Sequence, residues 1–200
     1  MTTATYDDVL KFWFGRVEET IVPTEHRARI WFGEDKETDQ EIKWRFAGQL
    51  GAAIAGQLND MEKTPRGQLA LIIILDQFSR HIYRGVPKAF AQDPKALSIC
   101  LNGMKREADH SLSLIERVFY YFPLLHSENI MDQDKSLNAY HALIDLAFSE
   151  TRVIFDSFFK FANHHHSIVQ RFGRFPQRNN ALGRESTKAE RDFLQEIGEG

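Results

Sequence analysis

The sequence predicts an all-α protein. Helix start and stop signals recur from end to end, strand signals are almost absent, and the links between helical stretches are short. Short links favour antiparallel neighbours, so helical hairpins are the expected unit, about eight or nine helices in one domain over residues 1–200.

The signals read in order. Thr5 precedes Tyr6–Phe14 with Asp8 three residues on, the form of a capping box, and Gly15 ends the segment. A second segment spans 25–32 and stops at Gly33. Thr38 opens a long amphipathic stretch to about Leu58, with Ile42, Phe46, Leu50, Ala53 and Ile54 at helical spacing. Thr64-Pro65 supplies a capping hydroxyl and then a proline at the first helical position. The helix that follows reaches Arg80 and contains the apolar run Leu69 to Leu75. Periodicity alone would also allow a buried strand there. The Thr-Pro start and the segment's length favour a helix apolar on every side, hence central in the core.

Asp93-Pro94 repeats the start signal for a helix to about Glu107. Ser111 or Ser113 caps the next, which is expected to run through Phe122 and stop near Pro123. Ser127 opens another to about Phe148, with Ile130, Leu137, Tyr140, Ile144 and Phe148 on one face. Thr151 or Arg152 begins the last long helix, ended by Gly173. A loop rich in Gly, Asn and Arg covers 174–185, and Thr187 with Glu190 boxes a final short helix ending at Gly198. Phe90-Ala91-Gln92-Asp93-Pro94-Lys95-Ala96-Leu97 hints at a tetratricopeptide-type junction, with no second copy at the ~34-residue period of such repeats.

Composition narrows the function classes. With 28 acidic and 25 basic residues the net charge is −3, which gives no bulk reason for nucleic-acid or membrane binding. The N-terminus carries acidic residues where a signal peptide would carry lysine or arginine, and the apolar run at 69–75 is far short of the ~20 residues that span a bilayer. The cytoplasm is the expected location. Cys100 is the single cysteine, so neither an intrachain disulfide nor a cysteine-built zinc site is expected. No P-loop, dinucleotide fingerprint, HExxH or Gly-x-Ser-x-Gly motif occurs, and no metal or cofactor is expected. The 16 phenylalanines read as core pieces filling gaps between helices.

In three places a strongly apolar run ends in ionisable or amide side chains. Asp76 follows the apolar run at 69–75, and a buried carboxylate must be paired or protonated; Arg80, four residues on, shares its face. His126 and Glu128 follow the apolar run that ends Leu124-Leu125; a histidine two residues from a glutamate suits acid–base chemistry or metal binding, and the plainer reading is that Ser127 and Glu128 cap the helix. The third stretch begins at His164-His165-His166. Neighbours on a helix point about 100° apart, so this triplet is not a three-ligand metal site, and His165 falls on the apolar seam with Phe158, Ala162, Val169 and Phe172. From Ser157 to Arg184 there is no acidic residue, while Lys160, Arg171, Arg174, Arg178 and Arg184 make the stretch basic. These arginines are expected to meet internal carboxylates (Asp76, Glu116 or Glu128), an anionic ligand, or solvent. His141 reads as a satisfied core histidine, and Cys100 as a packing residue.

The segments LxxLDQFxRxxYRG, PLxHSE and RFGRFPxRNxxLGRxST, in this order, resemble domain-of-unknown-function family 924. The resemblance runs from Val9 to the final helix and implies a tetratricopeptide-like helical fold with no established activity. His165, Arg171, Arg174, Arg178 and Arg184 match the family pattern. The chain departs from it at Gln177, where histidine is usual, at Ser79, where proline is usual, and at Ser167, where an acid is usual.

Three readings follow. Asp76, Arg80, His126, Glu128, His165, Arg171, Arg174 and Arg178 form a small anionic-ligand site, with or without catalysis. Alternatively, a hairpin stack offers a groove to a protein or peptide partner. In the third, the charged residues form a buried network that holds the C-terminal loop on the core.

Overall fold

The computed structural model describes residues 5–15, 25–33 and 35–198; the first four residues of the N-terminus read above lie outside them. The chain is all-α, with no strand among the described residues. Helices α1 (Tyr6–Phe14) and α2 (Glu25–Phe32) precede the long α3 (Lys36–Ile54). Helix α4 covers residues 65–82: an α-helical start at Pro65–Ile72, a widened π segment at Ile73–Phe78, and a last turn at Ser79–Ile82. Then come α5 (Asp93–Met104), α6 (Leu114–Tyr120) and the single turn α7 (Phe122–Leu125). Helices α8 (Ile130–Leu146) and α9 (Arg152–Phe172) form the longest pair, and α10 (Asn179–Leu182) and α11 (Lys188–Glu196) close the chain.

Local chemistry explains these boundaries. Thr64 accepts the Gly67 N–H with Pro65 behind it, as its sequence implies. Ser113 and Glu116 box the start of α6, and Thr187 and Glu190 that of α11. Gly173 ends α9 in the left-handed region, at φ 70°. Three expectations are corrected. Asp35, not Thr38, caps α3: its carboxylate accepts from the Glu37 N–H at 3.1 Å and the Thr38 hydroxyl at 2.9 Å. Pro123 does not stop a helix but sits in the first turn of α7, where its missing N–H is harmless. Asn129 rather than Ser127 caps α8.

Helix α4 is the centre. Leu69 through Leu75 are wholly inaccessible to solvent, and α1, α3, α5 and α6 pack around them. An aromatic cluster fills the space between: Phe46 stacks on Phe78 at 4.7 Å, Trp13 meets Phe78 at 5.8 Å, and Phe119 meets Trp31 at 4.6 Å. Helices α8 and α9 run antiparallel, as the cross-contacts Asp134–His166 and His141–Phe159 require. The face of α8 departs from its apolar pattern. Asp132, Gln133, Ser136, Ala139, Tyr140 and Leu143 are buried, while Phe148, just past its end, is 78% exposed. Polar partners decide this: the Gln133 amide donates to the Leu125 and Ser127 carbonyls, and the Tyr140 hydroxyl to the Val118 carbonyl. His141 is exposed rather than in the core, beside Asp145 at 3.7 Å. Cys100 is buried, with its thiol against the Met104 sulfur.

A second, smaller apolar cluster of Ile168, Val169, Phe175 and Phe193 joins α9 to α11. An apolar groove of about 460 Å³, lined by Phe32, Ile154, Phe158 and Phe161, lies between α2 and α9. No helix among the described residues is long and apolar enough to cross a membrane.

Candidate functional site

The π segment of α4 carries Asp76 in the core, with no solvent exposure. A buried carboxylate is tolerable only when its lone pairs are filled, and here three side chains fill them. The Nδ1 of His126 lies 2.8 and 2.9 Å from its two oxygens, the Gln77 amide donates at 2.5 Å, and an Arg80 nitrogen stands at 3.2 Å. Arg80 also donates to the Asp76 backbone carbonyl at 2.7 Å. Burial alone would raise the Asp76 carboxyl. Arg80 and His126 reverse that and hold it well below the usual carboxylate range.

Since a carboxylate only accepts, the Nδ1 of His126 donates, and in the neutral ring the lone pair sits on Nε2. Burial, reinforced by Arg80, lowers the His126 pKa, and the pull of Asp76 does not restore it. His126 is therefore a neutral, oriented base at pH 7. No protein partner occupies its Nε2 among the described residues, and the ring borders a cleft of about 360 Å³.

Five polar residues line the cleft, Asp93, His126, Ser127, Glu128 and Arg178. Its other walls are hydrocarbon, from the 87–91 connection, α5, Pro123 and Leu182. Asp93 joins the two guanidinium groups. Arg80 grips it through both nitrogens at 2.9 and 3.0 Å, and Arg178 reaches it at 3.2 Å. Arg178 also donates to the His126 carbonyl at 2.9 Å and lies over the rings of Phe90 and Phe175, at 4.8 and 4.7 Å. Burial and the nearby Arg80 pull the Arg178 pKa down to about 10, against the opposing effect of Asp93.

Loop 174–184 is fixed by Glu128. Arg184 forks onto its carboxylate at 2.8 and 2.9 Å, and the Phe175 N–H donates to it at 2.8 Å. His165 packs between Phe161 and Phe175, with its ring centre 6.4 Å from that of His126. Its Nδ1 donates to the Phe161 carbonyl at 2.9 Å, and burial pushes its pKa to about 3.

The three polar segments therefore converge in part. Asp76, Arg80, His126, Glu128, His165 and Arg178 come together. Arg174 instead forks onto Glu190 of α11 at 2.7 and 2.9 Å, and Arg171 lies over the rings of Phe172 and Phe193. Among the expected internal partners Glu128 is used, but Glu116 binds Arg66 instead. No three His, Cys, Asp or Glu side chains gather to hold a metal among the described residues.

The sequence pattern of a family described as bacterial proteins of unknown function, DUF924, matches residues 9–198. The chain belongs to the DUF924 family. The structure of another protein of unknown function, from Agrobacterium tumefaciens, is similar to this DUF924 protein with a TM-score of 0.79 at 31% sequence identity, covering 96% of this chain and 97% of that one. No curated protein matches it.

Two of the positions at which the resemblance implied another residue hold unpaired buried atoms. The Ser79 hydroxyl and the Gln177 side-chain oxygen are both buried with no hydrogen-bond partner among the described residues. Ser167, the third, donates to the His164 carbonyl at 2.7 Å. Sequence reasoning missed Asp93 as a member of the cluster. Its Asp-Pro signal was sufficiently explained by helix capping, and only the fold brings residues 80, 93 and 178 together.

Proposed function

We propose that this protein binds a small anionic molecule in the cleft beside His126 and that His126 exchanges a proton with it. The carrying observation is the Asp76–His126 pair: a buried carboxylate fixes Nδ1, and the ring borders a cleft that also holds Arg178. A histidine held this way is a general base by geometry and by charge state. Arg178 supports an anion. A guanidinium has five N–H donors, and the protein contacts of Arg178 employ one on each terminal nitrogen. Burial and Arg80 leave its charge under-compensated, which a bound anion would relieve.

A thermal-shift series against short carboxylates and inorganic phosphate tests this. At 100 times its dissociation constant a ligand stabilises by about 2.7 kcal/mol, which for this length raises Tm by roughly 5–10 °C. The shift disappears in Arg178→Gln. Calorimetry in buffers of different ionisation enthalpy detects a proton exchanged on binding, absent in His126→Gln. If no acid shifts the wild type, the reading fails.

A further inference from the structure

We propose that the cleft takes a monoanionic acid with an apolar body, one carboxylate at Arg178 and a hydrocarbon chain or ring along the opposite wall, and that it rejects phosphates and polyanions. This rests on the anion-binding reading above. Charge and helix geometry at the cleft argue for it independently of each other.

The first is a charge count. Asp76 pairs with Arg80, which also holds Asp93 through both terminal nitrogens, so Arg178 only shares Asp93, and Glu128 is matched by Arg184. Only Arg178 of these cations lines the cleft, so one negative charge can be met there and a second cannot.

The second is the start of α5. A helix N-terminus is the usual cradle for phosphate because its free N–H groups point at the ligand. Here that start borders the cleft but presents the Asp93 carboxylate and then Pro94, which has no N–H. The phosphate cradle is blocked by a negative charge and a missing donor.

Hydrocarbon from Pro87, Phe90, Leu97 and Leu182 makes up the rest of the wall, which suits an apolar body. At about 360 Å³ the space lies at the small end of small-molecule sites.

Calorimetric titration of the full chain with butanoate, hexanoate and octanoate tests the class, with inorganic phosphate, a dicarboxylate of matching length and the matching alcohols as comparators. Each added methylene is expected to tighten binding about fourfold until the cleft is full. Alcohols bind at least about tenfold more weakly than acids, and Arg178→Gln erases that preference while keeping the chain-length trend. Leu182→Glu removes the trend itself. Phosphate or the dicarboxylate binding more tightly than octanoate, with loss in Arg178→Gln, overturns the class and leaves the anion site standing. A chain-length trend untouched by Leu182→Glu places the acid elsewhere and overturns the proposal. Binding of no acid at all overturns both readings.

Discussion

At the scale of single residues, the most consequential position is Asp76. It is the common acceptor for His126, Gln77 and Arg80, and it is fully buried. Asp76→Asn removes the charge and leaves Arg80 with one carboxylate fewer. The expected cost is about 3–5 kcal/mol, measured by urea denaturation at pH 7. Ser79→Ala acts in the opposite direction. It deletes a buried hydroxyl that has no partner among the described residues and improves helix propensity, so stability rises by about 0.5–1 kcal/mol in the same assay. The histidines give a pH signature. Burial lowers the pKa of His81, His126 and His165, the last to about 3, so below about pH 6.5 the unfolded chain binds more protons than the folded one. Their contribution is full above that pH and is lost as pH falls towards the folded values. The slope is up to about 1.4 kcal/mol per pH unit for each histidine. Between about pH 6.5 and 5 the carboxylates stay ionised, so this slope is read there without them. His165→Phe lowers it, and a denaturation series that is flat over this interval in the wild type contradicts the assignment.

At the scale of elements, α4 does two jobs. Its apolar first half is the centre of the core, and its π segment sets Asp76 against the Nδ1 of His126, the ring that borders the cleft. Such widened turns occur often at functional sites, because the extra residue re-aims the side chains that follow. The α4–α5 contact depends on Gly103. A methyl group added there would stand 1.6 Å from the Tyr120 hydroxyl and 2.6 Å from the Gln68 oxygen, two atoms that bond each other at 2.5 Å. Gly103→Ala therefore breaks that bond or displaces α5. The expected loss is about 1–3 kcal/mol despite alanine's better helix propensity, and it appears as a lower urea midpoint.

At the scale of the whole molecule, apolar packing is unevenly distributed. Helices α1 to α9 share a large core, while residues 174–198 rest on the four-residue cluster around Phe175 and Phe193, on the Arg174–Glu190 and Arg184–Glu128 forks and on the bonds of Arg178 to Asp93 and the His126 carbonyl. A region held by few apolar contacts and partly exposed ion pairs opens at lower free energy than the core. In native-state hydrogen exchange, amides of α11 are expected to exchange well before those of α4, with a free energy below that of global unfolding. Equal protection in the two helices would show that the C-terminal segment unfolds only with the core. Since Arg178 and Leu182 lie in this segment, its opening would also open the cleft.

The sequence by itself determined the all-α class, most helix starts and the central place of α4. These features are local: a capping hydroxyl, a proline in the first turn or a run of apolar residues acts within a few positions of the chain. It also marked the three polar segments, because a charge at the end of an apolar run must find a partner wherever the chain takes it. Which partner it finds is non-local, and only the tertiary structure decided that. Arg178 and Arg80 share Asp93, Arg174 belongs to Glu190 rather than to the cleft, and α8 turns the face of Tyr140 inward, where its hydroxyl donates to the Val118 carbonyl. Hydrogen-bond geometry is satisfied in three dimensions, over separations of up to 85 residues, and no periodicity in the chain encodes it.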